Sequence, residues 1–189
     1  MNTTAAPPVS TSERSSLIRL YLSRGVLAIG WAIAFAASHH TLNAIAVTLL
    51  VVYPLIDAVS SLLDYLAVPE GSERRVTALN GILSAAVAIA LGFAGTLGGA
   101  AAVLGVFGAW AVLSGAAQLI VGVRRRGAAF GKQWPTLISG GLSFLVGATY
   151  IAQATGDSPS LGVLAVYATG GGVFFIAQAA LLAWKHTRR

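Results

Sequence analysis

The chain has 189 residues, 56% of them hydrophobic and only 10% charged, with a mean hydropathy of +0.78 and a formal charge of +6. That balance is the balance of an integral membrane protein, and the lack of cysteine excludes disulfides, thiolate metal sites and cysteine nucleophiles. The basic residues flank apolar runs, so the charge reads as membrane topology, and no nucleic-acid partner is expected.

Residues 1–16 are polar and rich in Pro, Ser and Thr, and read as a disordered segment without a cleavable signal. Six spans follow, each long enough to cross a hydrocarbon core of about 30 Å. They are Leu17 to Ser38, Thr41 to Leu66, Val76 to Thr96, Ala100 to Val123, Trp134 to Ala154, and Leu161 to Trp184. Short turns (HHT, LGG, TGDSP) join spans one and two, three and four, and five and six, which predicts three helical hairpins. All 12 Lys and Arg residues fall on the opposite side from those turns. The positive-inside rule then predicts cytoplasmic termini, with a short basic tail at 185–189.

The even-numbered spans align without gaps at an offset of 57. Tyr53, Trp110 and Tyr167 coincide, as do Ala58, Gly115 and Gly172, and Leu62, Leu119 and Ile176. The repeats run about 17–75, 76–132 and 134–189. Small residues recur every seventh position: Gly25 and Ala32; Gly81, Ala88 and Gly95; Ala101, Gly108, Gly115 and Gly122; Gly140, Gly147 and Ala154. Heptad spacing keeps them on one face, where backbones approach closely in lipid. The expected fold is all-α, six transmembrane helices in three parallel-repeat hairpins with pseudo-threefold symmetry.

GILSAAVAIALG and WAVLSGAAQLIVGVRRR (Trp110 to Arg126) resemble the HdeD-like family of bacterial inner-membrane proteins, built from short repeated hairpins with a tryptophan about five residues before a glycine. In the first and third copies tyrosine replaces the tryptophan, and Ala58 replaces the glycine in the first. The resemblance implies residence in the bacterial cytoplasmic (inner) membrane and a role in acid-stress resistance, and it implies no catalytic residues.

Within span two, Asp57 lies near the middle, and Asp64, seven residues on, sits nearer the basic end. A carboxylate in hydrocarbon costs about 2.5 kcal/mol or more, so it needs a partner or a function. Pro54, one turn earlier, frees the carbonyl of Leu50. Arg24 in span one is the cation within reach, so Arg24, Asp57 and Asp64 form a candidate ion pair or proton site. The structural reading is a pair that fixes hairpin packing; the functional one is a proton or cation site in a small transporter or channel. Asn80, Gln118, Gln153 and Gln178 read as interhelical hydrogen-bonding groups. His39 and His40, in the first turn, are a candidate external pH sensor or simply turn residues. GGG at 170–172 reads as packing or a weak point in a helix.

HExxH, GxSxG and P-loop patterns are all missing, and neither enzymatic chemistry, a metal nor a cofactor is expected. The bilayer is the expected environment, and the small-residue faces would take a second copy of the chain or another membrane protein. Three functions stay open: a stress-protective or accessory protein, a proton-coupled transporter, and a membrane scaffold.

Overall fold

The structure is a computed structural model that describes residues 11–67, 72–124 and 134–187. Its elements are α1 (Thr11–Ser38), α2 (Ala44–Ala67), α3 (Ser72–Phe93), one π-helical turn (Ala94–Gly98), α4 (Gly99–Arg124), α5 (Trp134–Ala154) and α6 (Gly162–Thr187). No strand occurs among the described residues. Helix α1 starts ahead of the expected Leu17, because a span that has already met the cost of nucleation extends cheaply upstream through polar residues. Residues 1–10 lie outside the described residues, and α6 runs on through Thr187 into the expected tail.

Five helical stretches are long and apolar enough to cross a membrane: Ile18–Ser38, Ala44–Leu63, Arg74–Arg124, Leu137–Ala154 and Gly162–Trp184. The count differs from the expected six because the LGG turn closes through helical backbone, fusing α3, the π turn and α4 into one run of 51 residues. That run folds back on itself. Gly99 takes a φ of 76°, a left-handed conformation open to glycine, and Trp110 of α4 hydrogen-bonds Ser84 of α3 at 3.1 Å. In a straight helix those two residues would lie about 39 Å apart.

The outside of the bundle is aliphatic. Among the described residues, thirty large hydrophobic side chains are left exposed, Leu97, Leu66, Leu79, Ile33 and Ile82 among them, and only 22–33% of each candidate span is buried. Water would penalise such a surface, whereas lipid does not. Inside, Phe35, Leu50, Leu91, Leu104, Phe107 and Leu164 are fully buried. They surround an aromatic cluster in which Phe107 meets Trp110, Tyr167, Tyr53 and Tyr150 with ring centroids 5.2, 5.5, 6.0 and 6.2 Å away.

Each helix touches its neighbours in the chain, and α6 touches α1. The extensive contacts are α2 with α3, α4 with α5 and α6 with α1, while α1 with α2 and α5 with α6 meet sparsely. The expected hairpins are therefore not the tightly packed units; the glycine seams join helices across the basic loops and across the two ends of the chain. Gly115 faces Gly140, and a methyl group on either would stand 2.6 or 2.9 Å from the other's carbonyl oxygen. Gly108 and Gly147 meet in the same way at 2.7 and 2.6 Å, and Gly25 and Gly172 at 2.9 Å. Gly81 lies against Ala58 and Ser61, Gly95 is packed on Val47, and Gly122 is buried. All the heptad glycines singled out in the sequence thus sit in buried or close-packed positions.

A chamber around Asp57

A cavity of about 640 Å³ opens inside the bundle, with walls from all six helices. Its aromatic wall carries Tyr53, Trp110 and Tyr167, the three residues that coincide in the repeat.

Asp57 lines this chamber, and its oxygen Oδ2 accepts two hydrogen bonds from α3, from Asn80 Nδ2 at 2.8 Å and Ser84 Oγ at 2.7 Å. Asn80 also donates to Ser61 Oγ at 2.9 Å, and Trp110 Nε1 donates to Ser84 Oγ at 3.1 Å. The direction of this relay is fixed by chemistry. An indole N–H only donates, so Ser84 accepts from Trp110 and must direct its own proton to Asp57.

Arg24 lies on the wall of the same chamber, its guanidinium 5.9 Å from the centre of the Phe175 ring. The hydrogen bonds to Asp57 come from neutral groups on α3 rather than from Arg24, because α2 packs along α3 and only sparsely along α1. The side chain of Asp64 lies outside the described residues. Gln118 lines the chamber; Gln153 and Gln178 do not. Near Pro54, the carbonyl that a side chain captures is that of Leu49, which accepts from Trp31 Nε1 at 2.7 Å and ties α1 to α2.

The tight crossings reveal an equivalence that loop lengths hide. Gly25, Gly81 and Gly140 meet Gly172, Ala58 and Gly115 respectively. The residues just before the first three, Arg24, Asn80 and Ser139, and those just before the second three, Gly171, Asp57 and Ser114, therefore occupy one level, and all six line the chamber. One turn further on, Ser84 bonds Trp110 and Ser143 bonds the Tyr167 hydroxyl at 3.0 Å, whereas the first repeat has Ala28 at this position. The hydroxyl of Ser114 is buried without a hydrogen-bond partner.

The three consecutive glycines divide their roles. Gly172 packs against Gly25 and Ile29, while a methyl group on Gly170 or Gly171 would have no atom within 4 Å. Those two widen the chamber. At the turn end, the rings of His39 and His40 lie 4.4 Å apart, and the His39 ring stands 3.4 Å from the position a side chain on Gly162 would take, at the start of α6.

Ser84 and Ser143 went unread in the sequence. The signal for them is the alignment of the odd helices on Gly81 and Gly140, which places both serines, and Asn80 with Ser139, in register. No group of three or more His, Cys, Asp or Glu residues suited to a metal occurs among the described residues.

Residues 96–152 match the family model described as a short repeat of unknown function, DUF308. No curated protein and no solved structure matches the chain. The matched stretch runs from the π turn through α4 and α5, so it contains one tight helix pair, and its length equals the repeat period of 57 residues. Over that stretch the chain is similar to a family of short repeats, in keeping with the repeat read from the sequence.

Proposed function

We propose that the chain is a multi-pass protein of the bacterial inner membrane that works as a small proton-coupled transporter, without enzymatic chemistry, and that Asp57 is its titrating group. Six crossings form a pseudo-threefold ring of the pairs α2·α3, α4·α5 and α6·α1, with the termini and basic loops in the cytoplasm. The observation that carries this reading is the chamber: a cavity of about 640 Å³ that reaches an intramembrane carboxylate. A buried carboxylate whose only role was packing would sit in a closed seam. In proteoliposomes the wild type should show pH-dependent flux and Asp57→Asn should lose it; equal flux in the two proteins, or none in the wild type, removes the transport reading.

A second reading, a stress-protective protein that responds to external acid, draws on the HdeD-like resemblance and on the position of His39. A ring that becomes cationic beside the start of α6 meets the positive end of that helix, which disfavours the contact. Unchanged acid survival after replacing both His39 and His40 with Gln would dispose of it.

A further inference from the structure

We propose that the chamber takes an uncharged amphiphile from the bilayer, a molecule with a hydroxyl-bearing head and an acyl tail, its head on the α4·α5 wall and its tail between α5 and α6. This rests on the reading of the chamber as a transport site.

The head follows from a comparison of equivalent positions. In the pair α2·α3 the polar residues beside the tight crossing, Asp57 and Asn80, bond each other at 2.8 Å. Their counterparts in α4·α5 are Ser114 and Ser139, which stand beside Gly115 and Gly140 and also line the chamber. Serine is too short to repeat that bridge, and the Ser114 hydroxyl is buried with no hydrogen-bond partner. A buried polar group left unpaired is costly. A hydroxyl both donates and accepts, so the partner that suits Ser114 is another hydroxyl. Gln118, one helical turn after Ser114, adds an amide to the same wall. Among the described residues, α4 and α5 contribute no charged side chain to the lining. A charged head placed against this wall would meet no opposite charge in low dielectric, whereas hydroxyls exchange hydrogen bonds there without one.

The tail follows from the thinnest side of the ring. Helices α5 and α6 are joined near the turn end, where Tyr150 Oη donates to the carbonyl of Val163 at 2.7 Å and Ser143 bonds Tyr167. Over the rest of their length they meet sparsely. Leu142 on α5 and Val173 on α6 both line the chamber, yet each is 56% exposed. Gly170 and Gly171 add no side chain to this side, with open space where their methyl groups would be. Ser139 and Leu142, three residues apart on α5, put the head site next to this apolar gap.

The test is native mass spectrometry of the purified full chain with five probes: monododecanoylglycerol, methyl dodecanoate, dodecylamine, lysophosphatidylethanolamine and glycerol. Monododecanoylglycerol should bind about tenfold or more tightly than each of the others, which lack the hydroxyls, carry charge or lack the tail. Ser114→Ala should weaken it about two- to tenfold, the worth of one hydrogen bond. The same variant should leave methyl dodecanoate unchanged and the melting temperature equal or higher, because the hydroxyl has no partner in the fold. Gly170→Phe should fill the gap and weaken both tailed esters with an unchanged melting temperature. Glycerol bound as tightly as its ester would mean an aqueous ligand and overturn the proposal. So would equal binding of methyl dodecanoate, tighter binding of the charged or zwitterionic probe, or an affinity that Ser114→Ala does not move. If no probe binds while flux still depends on Asp57, this inference fails and the transport reading stands. Selective binding without any flux keeps the ligand and ends the transport reading.

Discussion

Gly147→Ala is the most discriminating single change, because its consequence is set by geometry alone. A methyl group at Gly147 would lie 2.6 Å from the carbonyl oxygen of Gly108 and 2.7 Å from the amide nitrogen of Val112, both backbone atoms of α4 that no rotamer change can move. Ordinary contact needs about 0.7 Å more, so α4 and α5 must separate along the seam, and a gap of 0.5–1 Å forfeits roughly a quarter to a half of each dispersion contact. Over some tens of contacts at about 0.1–0.2 kcal/mol each, the loss is about 1–3 kcal/mol. The better helix propensity of alanine returns about 0.5–1 kcal/mol of it. Gly171→Ala is the internal control: the same chemical change in α6, with nothing within 4 Å of the new methyl group, should be neutral or slightly stabilising. Thermal unfolding of both variants in one detergent measures the difference. Equal melting temperatures for Gly147→Ala and Gly171→Ala would refute the claim that backbone contact at glycine holds α4 to α5.

Ser84→Ala removes both the acceptor for Trp110, which is 6% exposed, and a donor to Asp57. Leaving a buried indole N–H unpaired should cost about 1–3 kcal/mol in detergent stability. Ser143→Ala, which loses only the Tyr167 contact, should cost less; the reverse order would mean the relay is not what orients Asp57. Closure of the ring by α6 on α1 is tested by pairing Ile29→Cys with Gly172→Cys, positions that meet across the two ends of a chain without other cysteines. Mild oxidation should give an intramolecular disulfide in membranes, and cross-links only between separate chains would mean that α1 and α6 pair across copies instead.

Helix content and the short repeat were legible because each leaves a one-dimensional trace. Apolar length marks a span, and a period of 57 survives any rotation of the helices. Which helices pack together leaves no such trace. The turn HHT made α1 and α2 look like partners, yet chain connection and packing are different constraints, and the glycines at 25 and 172 decide the packing from opposite ends of the sequence. The same error made Arg24 the first partner sought for Asp57. The carboxylate is instead oriented by Asn80 and Ser84 on the next helix, a relation hidden by unequal loops between the odd-numbered spans. Gly170 to Gly172 look identical in sequence, and only their position around α6 separates the residue that packs from the two that leave space.

The account depends most on the chamber's being an open space beside Asp57, and the cysteine-free chain offers a direct measurement. Gly171→Cys places a thiol where no atom stands within 4 Å, at the level of Asp57 in the third repeat. Its reaction with a small, charged methanethiosulfonate in sealed vesicles, compared with Asp157→Cys in the exposed turn before α6, reports whether that space is hydrated and reachable. An open, hydrated chamber predicts that the charged reagent modifies Gly171→Cys. A thiol that stays unmodified by the charged reagent, while the turn position reacts fully, would contradict it.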